Sequence, residues 1–318
     1  MPIVLKSKYR PLLFLNKHLN TIIPSLFRKV NIVYQRERVI TPDNDFIDLD
    51  FSSNGNKKVV LVLHGLEGSA KSSNVKGIVE ICNLNDYDAV VLNFRGCSGE
   101  QNNLITAYHS GKTDDIDLAI CHLTKRYEAI SIVGLSLGGN ALLKYLGEDY
   151  PSVNSIKSAV AISVPCDLKS SAIQMAKNSN NIYMKRFLKT LKNKVFEKCE
   201  MHTGHLIDLD KIRNAKTFAD FDNEYTAPVH GYKNAEIYWK LNSSKPFLNK
   251  ITTPTLLINA LDDPFLTSNC FPYQIAKESN CLFLETPAKG GHVGFLSKTG
   301  INGIYWHEKR AMEFIKEI

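Results

Sequence analysis

The chain has 318 residues, 44% of them hydrophobic and 22% charged, with 39 Lys and Arg against 32 Asp and Glu for a formal net charge of +7. That is apolar material enough for a large core, and the length suits one α/β domain carrying an insertion better than two independent domains. No run reaches the ~20 apolar residues of a membrane span, the bases are spread rather than clustered with aromatics as a nucleic-acid partner would need, and seven cysteines without CxxC spacing give neither a disulfide framework nor a zinc site.

Residues 1–29 form a leading arm. Pro2, Lys6, Lys8 and Arg10 interrupt its start, so it lacks the apolar centre of a signal peptide, and a reducing cytoplasm is the expected compartment. Leu12, Leu13, Phe14, Leu19, Ile22, Ile23, Leu26 and Phe27 are too apolar to stay solvated. The arm is therefore expected to fold over the body near a cap, with a docking patch for lipid or another chain as the alternative. Next, 30–40 and 46–51 read as an antiparallel pair joined by Thr41-Pro42-Asp43-Asn44. Apolar runs then alternate with helical patterns: strands near 58–63, 88–93, 129–133, 157–164, 254–260 and 280–285, helices near 72–84, 113–126, 137–147 and 303–317. This rhythm predicts a mostly parallel sheet with helices on both faces. The core is assigned to 30–167 and 251–318, and the segment 168–250, which breaks the rhythm, to a helical cap.

The strand near 129–133 runs into Gly134-Leu135-Ser136-Leu137-Gly138 and then a helix. Strand, sharp turn and helix with a serine at the turn hold the hydroxyl clear of the sheet at a helix N-terminus, where backbone N–H groups favour developing negative charge. The strand near 58–63 ends in His64-Gly65-Leu66-Glu67-Gly68-Ser69, a glycine-rich loop of the kind that supplies a second oxyanion donor. The backbone amides of Leu66 and Leu137 are therefore assigned to an oxyanion hole. His64 is read as fixing this loop rather than as a base. Partners for the serine should follow as acid, then histidine. Asp262 and Asp263 stand at the end of the strand near 254–260, before Pro264, and compete for the orienting role; Asp263 is favoured because it begins the loop and points toward the cleft. His292, behind Gly290 and Gly291, is the candidate base.

Within the cap, 184, 187, 188, 191 and 195 fall on one helical face and bases on the other. This reads first as a packed lid helix with a solvated basic face, and second as a surface for weak contact with an anionic membrane. The cap aromatics, among them Tyr183, Phe187, Phe218, Phe221, Tyr225, Tyr238 and Trp239, either line an acyl pocket or form the cap's own core. His202 and His205 lack a convergent third ligand, so no metal is assigned. Cys97 has no histidine placed for it and reads as a packed thiol.

Taken with these features, several blocks resemble the YheT-type branch of the α/β-hydrolases, whose animal relatives are the abhydrolase-domain proteins one and three. They are Asn16 to Pro24, His64 to Ser69, Asn93 to Glu100, Tyr108 to Asp115, Gly134 to Asn140, Asn259 to Phe265 and Gly290 to Phe295. One departure is Asn20, where relatives often carry glutamine; it leaves the catalytic assignment untouched. The resemblance implies an α/β-hydrolase fold, a Ser136, Asp263 and His292 triad, and hydrolysis of acyl, lipid-like esters. An acyltransferase using the same residues and a non-catalytic protein that binds a lipid or small ligand on the same scaffold are the alternatives. The expected partner is a small acyl ester, with no cofactor.

Overall fold

The computed structural model describes residues 3–4, 7–11, 16–296 and 300–318; Leu12, Leu13 and Phe14 of the arm lie outside the described residues. One sheet organises the molecule. Its strands are β1 (Ile3–Val4), β2 (Gln35–Ile40), β3 (Phe46–Ser52), β4 (Lys58–Leu63), β5 (Asp88–Asn93), β6 (Ala129–Leu135), β7 (Ile156–Ile162), β8 (Thr255–Ile258) and β9 (Leu282–Glu285). They lie in the order β1-β9-β8-β7-β6-β4-β5-β3-β2. β2 and β3 run antiparallel to their neighbours and every other pairing is parallel.

The unbroken apolar runs of the central strands follow from burial on both faces. Val60 and Val62 of β4 face one way and pack with Val75, Ile78 and Val79 of the helix Ser73–Asn83 and with Met312 and Ile315 of the helix Trp306–Glu317. Leu61 and Leu63 face the other way, toward Ile116 and Ile120 of the helix Asp114–Leu123 and Leu142 of the helix Leu137–Leu146. The outer strand β2 is polar instead. Arg36 and Arg38 reach across to Asp50 and Asp48 of β3 at 2.7 and 2.8 Å, and such charges on an edge discourage pairing with a second chain.

Between β7 and β8 the chain leaves the sheet for the helices Leu168–Met175, Asn181–Met201, Leu209–Asn214, Phe218–Phe221 and Ala235–Asn242. Met184, Leu188, Val195, Ile212, Phe221 and Tyr225 join Phe265 and Leu266, from the loop after β8, in a common apolar cluster. Lys185, Arg186 and Lys189 on the opposite face of the long helix are exposed.

The arm lies beside the segment 168–250 assigned to a cap, where His18 Nδ1 is 3.1 Å from the Tyr183 hydroxyl, but the burial of its residues departs from expectation. It contains a helix, Lys17–Phe27, capped by Asn16, whose side chain accepts the Leu19 N–H at 2.9 Å. Pro24 sits inside this helix and leaves the Asn20 carbonyl without its helical partner. The inward-facing residues are Asn20 and Pro24, while Leu19, Leu26 and Phe27 remain 42%, 56% and 61% exposed. The reason is local: this helix lies against loop backbone that needs hydrogen-bond acceptors, so polar groups are turned inward.

Candidate active site

The serine turn is built by close approach. An added Cβ at Gly134 would stand 2.7 Å from the Gly138 carbonyl, and one at Gly138 would stand 2.5 Å from the His64 carbonyl and 2.6 Å from that of Leu63. Strand, turn and helix therefore meet at main-chain distance where the sequence places its two glycines. Ser136 takes φ of 52° and ψ of −116°, a strained conformation costing on the order of 1–3 kcal/mol that persists only when its surroundings hold it. Its N–H donates to the Ile162 carbonyl at 2.8 Å, and its carbonyl accepts from Asn140 N–H at 3.0 Å.

Ser136 Oγ lies 2.8 Å from His292 Nε2, and His292 Nδ1 lies 2.9 Å from Asp263 Oδ2 and 3.2 Å from Oδ1. Donation from Nδ1–H to the carboxylate fixes the ring tautomer and leaves Nε2 free to accept the serine hydroxyl. Asp263 is buried and its Oδ1 also accepts the Phe265 N–H at 2.9 Å. The neighbouring aspartate does something else: Asp262 Oδ1 accepts the Gly291 N–H at 2.9 Å and braces the histidine loop. Burial, with Asp263 beside it, raises the Asp262 carboxyl above its usual range. The Phe265 ring lies over the imidazole with centroids 4.1 Å apart.

The loop after β4 passes directly beside the serine, since a Cβ built at Gly65 would stand 3.3 Å from Ser136 Cβ. Leu66 and Leu137 both line the pocket at Ser136, and among the described residues neither backbone N–H donates a hydrogen bond. His64 is buried behind them, with Nδ1 2.8 Å from the Gly65 carbonyl and Nε2 accepting the Phe94 N–H at 3.0 Å. Both ring nitrogens are thus committed to holding the loop. Burial pushes its pKa down to about 4.

His230 is held down at about 4 and His307 at about 3, and His109 is also lowered, all mainly by burial. The unfolded chain takes up these protons near pH 6.5, whereas the folded chain takes up those of His64, His230 and His307 only near pH 4 or 3 and that of His109 below its ordinary range, so between pH 6.5 and 4 the unfolded state binds more protons and stability rises with pH. Denaturant midpoints should accordingly fall steeply from pH 6.5 to pH 4, and a midpoint that stayed level across this window would contradict the neutral, buried state of these rings.

A cavity of about 150 Å³ opens from Ser136 and His292 under the helices between β7 and β8. Its walls are mainly apolar: Met175, Phe187, Leu191, Val195, Phe218, Phe221 and Trp239 contribute, whereas Phe196 and Tyr232 stay outside it. His109, Asp222 and His230 supply polar groups to the wall, and burial lifts Asp222 to about 6. Glu67, with φ of 54°, accepts from the Tyr108 hydroxyl at 2.8 Å and pairs with Lys194 of the long helix at 2.9 Å. Cys97 lies 3.2 Å from Lys194 Nζ with no imidazole on it, and burial raises its thiol to about 11. Cys199 and His202 stand three residues apart, yet among the described residues no group of three His, Cys, Asp or Glu is arranged to hold a metal ion. No helix among them is long and apolar enough to cross a membrane.

Asn20, Thr21, Glu67 and Lys194 are site neighbours that spacing cannot reveal, because each acts across the fold; for Asn20, Thr21 and Glu67 membership of the arm and loop blocks is the available signal, and Lys194 lies in none of those blocks. Thr21 Oγ1 accepts the backbone N–H of His292 at 2.9 Å.

A model of the alpha/beta hydrolase fold matches residues 58–299. The YheT protein of Escherichia coli (strain K12) is 36% identical over 313 residues, covering 95% of this chain and 91% of its own length. Phospholipase ABHD3 of Bos taurus is 30% identical over 286 residues, covering 86% and 69%. In three dimensions the Pyrococcus furiosus esterase Pf2001 superposes with a TM-score of 0.60 at 18% identity, over 91% of this chain and 96% of the other, a likeness of fold. With serine turn, sheet order and these similarities in agreement, the chain belongs to the α/β-hydrolase family, in its YheT-type branch.

Proposed function

We propose that this protein is a serine esterase that cleaves carboxylic esters with apolar acyl chains through an acyl-enzyme intermediate. The observation that carries the reading is the continuous line from Asp263 through His292 to Ser136, with separations of 2.9 and 2.8 Å, at the mouth of an apolar pocket. Ser136 Oγ attacks the ester carbonyl as His292 Nε2 takes its proton, and the oxyanion so formed accepts from the Leu66 and Leu137 amides. Collapse expels the alcohol, which receives the proton from His292. Water then attacks the acyl-serine by the same relay and releases the acid. Asp263 steadies the imidazolium throughout.

Several features support an acyl, lipid-like substrate: the aromatic walls of the pocket, the cap role proposed for 168–250, and a bovine relative named as a phospholipase. All seven cysteines are free thiols, which suits action in a reducing compartment. The same apolar enclosure favours acyl transfer as a second reading, since an alcohol can replace water where water is scarce.

A fluorophosphonate probe should label the wild-type protein, and p-nitrophenyl esters should be cleaved with a preference set by acyl length. Ester formation on adding an alcohol would move the assignment to the second reading. A protein that neither labels nor cleaves any member of the series would be a binding protein on this scaffold.

A further inference from the structure

The loop carrying His292 is held in a conformation it would not choose alone. Gly291, Val293 and Phe295 all have positive φ, at 59°, 53° and 42°, and for a β-branched valine this is a conformational outlier. Such a loop keeps its shape only where its surroundings over-determine it. Ser163 Oγ accepts the Val293 N–H at 2.9 Å and Asp262 accepts that of Gly291. Phe295, fully buried, packs against Trp306 and His307, and the arm adds a further grip.

Thr21 Oγ1 accepts the His292 N–H at 2.9 Å, and its own hydroxyl proton goes to the Lys17 carbonyl at 2.7 Å, which fixes the acceptor toward the loop. Asn20 Oδ1, buried, accepts the Leu296 N–H at 3.0 Å, while the Tyr9 hydroxyl donates to the Leu296 carbonyl at 2.8 Å. The surfaces meet at main-chain contact: a Cβ at Gly291 would stand 2.7 Å from the Lys17 carbonyl and one at Gly294 2.0 Å from the Asn20 carbonyl. The far end of the helix is fixed in turn, because Arg28 Nη2 donates to Glu308 Oε2 at 2.9 Å in the interior and to the half-buried Gly303 carbonyl at 3.0 Å.

We infer that Thr21, backed by Asn20, is a positioning residue that sets the His292 imidazole against Ser136, so that the arm helix is a working part of the site. Among the described residues only Thr21 bonds the backbone N–H of His292 itself. The kinetic consequence rests on the esterase reading; the geometric one does not. Asn20, the departure that sequence reading treats as neutral, belongs to this clamp.

The test compares Thr21→Val, which keeps the shape and removes the acceptor, with Thr21→Ser, which keeps it. Thr21→Val should lower kcat on a p-nitrophenyl ester and the rate of fluorophosphonate labelling about 10- to 100-fold, with KM changed by less than about threefold, because a misplaced base slows the chemical step and not binding. Thr21→Ser should restore most of the rate. The proton shared by His292 Nδ1 and Asp263, followed by NMR in histidine-labelled protein, should shift or disappear in Thr21→Val and stay in Thr21→Ser. That signal needs no turnover, so it decides the positioning role even if the wild-type protein proves inactive. Should Thr21→Val not fold, Thr21→Ala is read in the same way. Wild-type kcat and an unmoved resonance in the folded variant would overturn the inference.

Discussion

Ser136→Ala should lower p-nitrophenyl ester turnover on the order of 10⁶-fold and abolish fluorophosphonate labelling, while circular dichroism and thermal midpoint stay close to wild type. The size follows from the way such sites work as a unit: without the attacking oxygen, imidazole and carboxylate have nothing to act on, and only binding and oxyanion donors contribute. The fold should tolerate the change because the strained backbone at 136, held by main-chain bonds to Ile162 and Asn140, does not depend on the hydroxyl. Alanine keeps the Cβ that already fits there, unlike a side chain at Gly134 or Gly138. Labelling that persisted in the variant would reject Ser136 as the nucleophile.

Asp263→Asn should cost on the order of 10⁴-fold in kcat, the scale expected when a histidine is held in the wrong tautomer. A carboxylate can only accept from Nδ1, whereas an amide turned toward the ring can donate to it and drive the proton onto Nε2. Nε2 would then face Ser136 Oγ as a donor and could take no proton from it. Asp262→Asn is the matched control. Its amide oxygen can still accept the Gly291 N–H, now bonded at 2.9 Å, so kcat should stay within about threefold of wild type. Steady-state kinetics on the two variants separate adjacent carboxylates that share a turn, and equal losses would remove the distinction drawn between them.

Much of this architecture is legible in the residue order because strand burial and turn chemistry are local. The run Val59 to Leu63 is apolar throughout because β4 is covered on both faces, and the glycines around Ser136 are needed where three backbones converge. The helices at 73–83, 114–123, 137–146 and 306–317 fall inside the predicted spans within a few residues. What escaped is long-range. The two-residue strand β1 has no periodicity to read, and Pro24 argues against the helix that in fact surrounds it. The choice of Asp263 over Asp262 rested on loop direction and concerns neighbours that differ in partner, a property of distance rather than spacing. The inward turn of Asn20 with the outward turn of Phe27 reverses hydrophobic expectation, because the arm packs against hungry backbone and not against a sheet. Lys194 pairs with Glu67 across 127 positions, beyond the reach of any sequence pattern.

The bonds that tie the arm to the C-terminal quarter join residues 271, 280 and 287 positions apart. During synthesis the segment with Tyr9, Thr21 and Arg28 emerges well before its counterparts at 292, 296 and 308. Loop-closure entropy makes such distant pairings late events in folding. A nascent chain therefore displays the turn at Ser136 well before the imidazole of His292 can be seated beside it, so the proposed proton relay closes only after the segment beyond residue 292 has joined the fold.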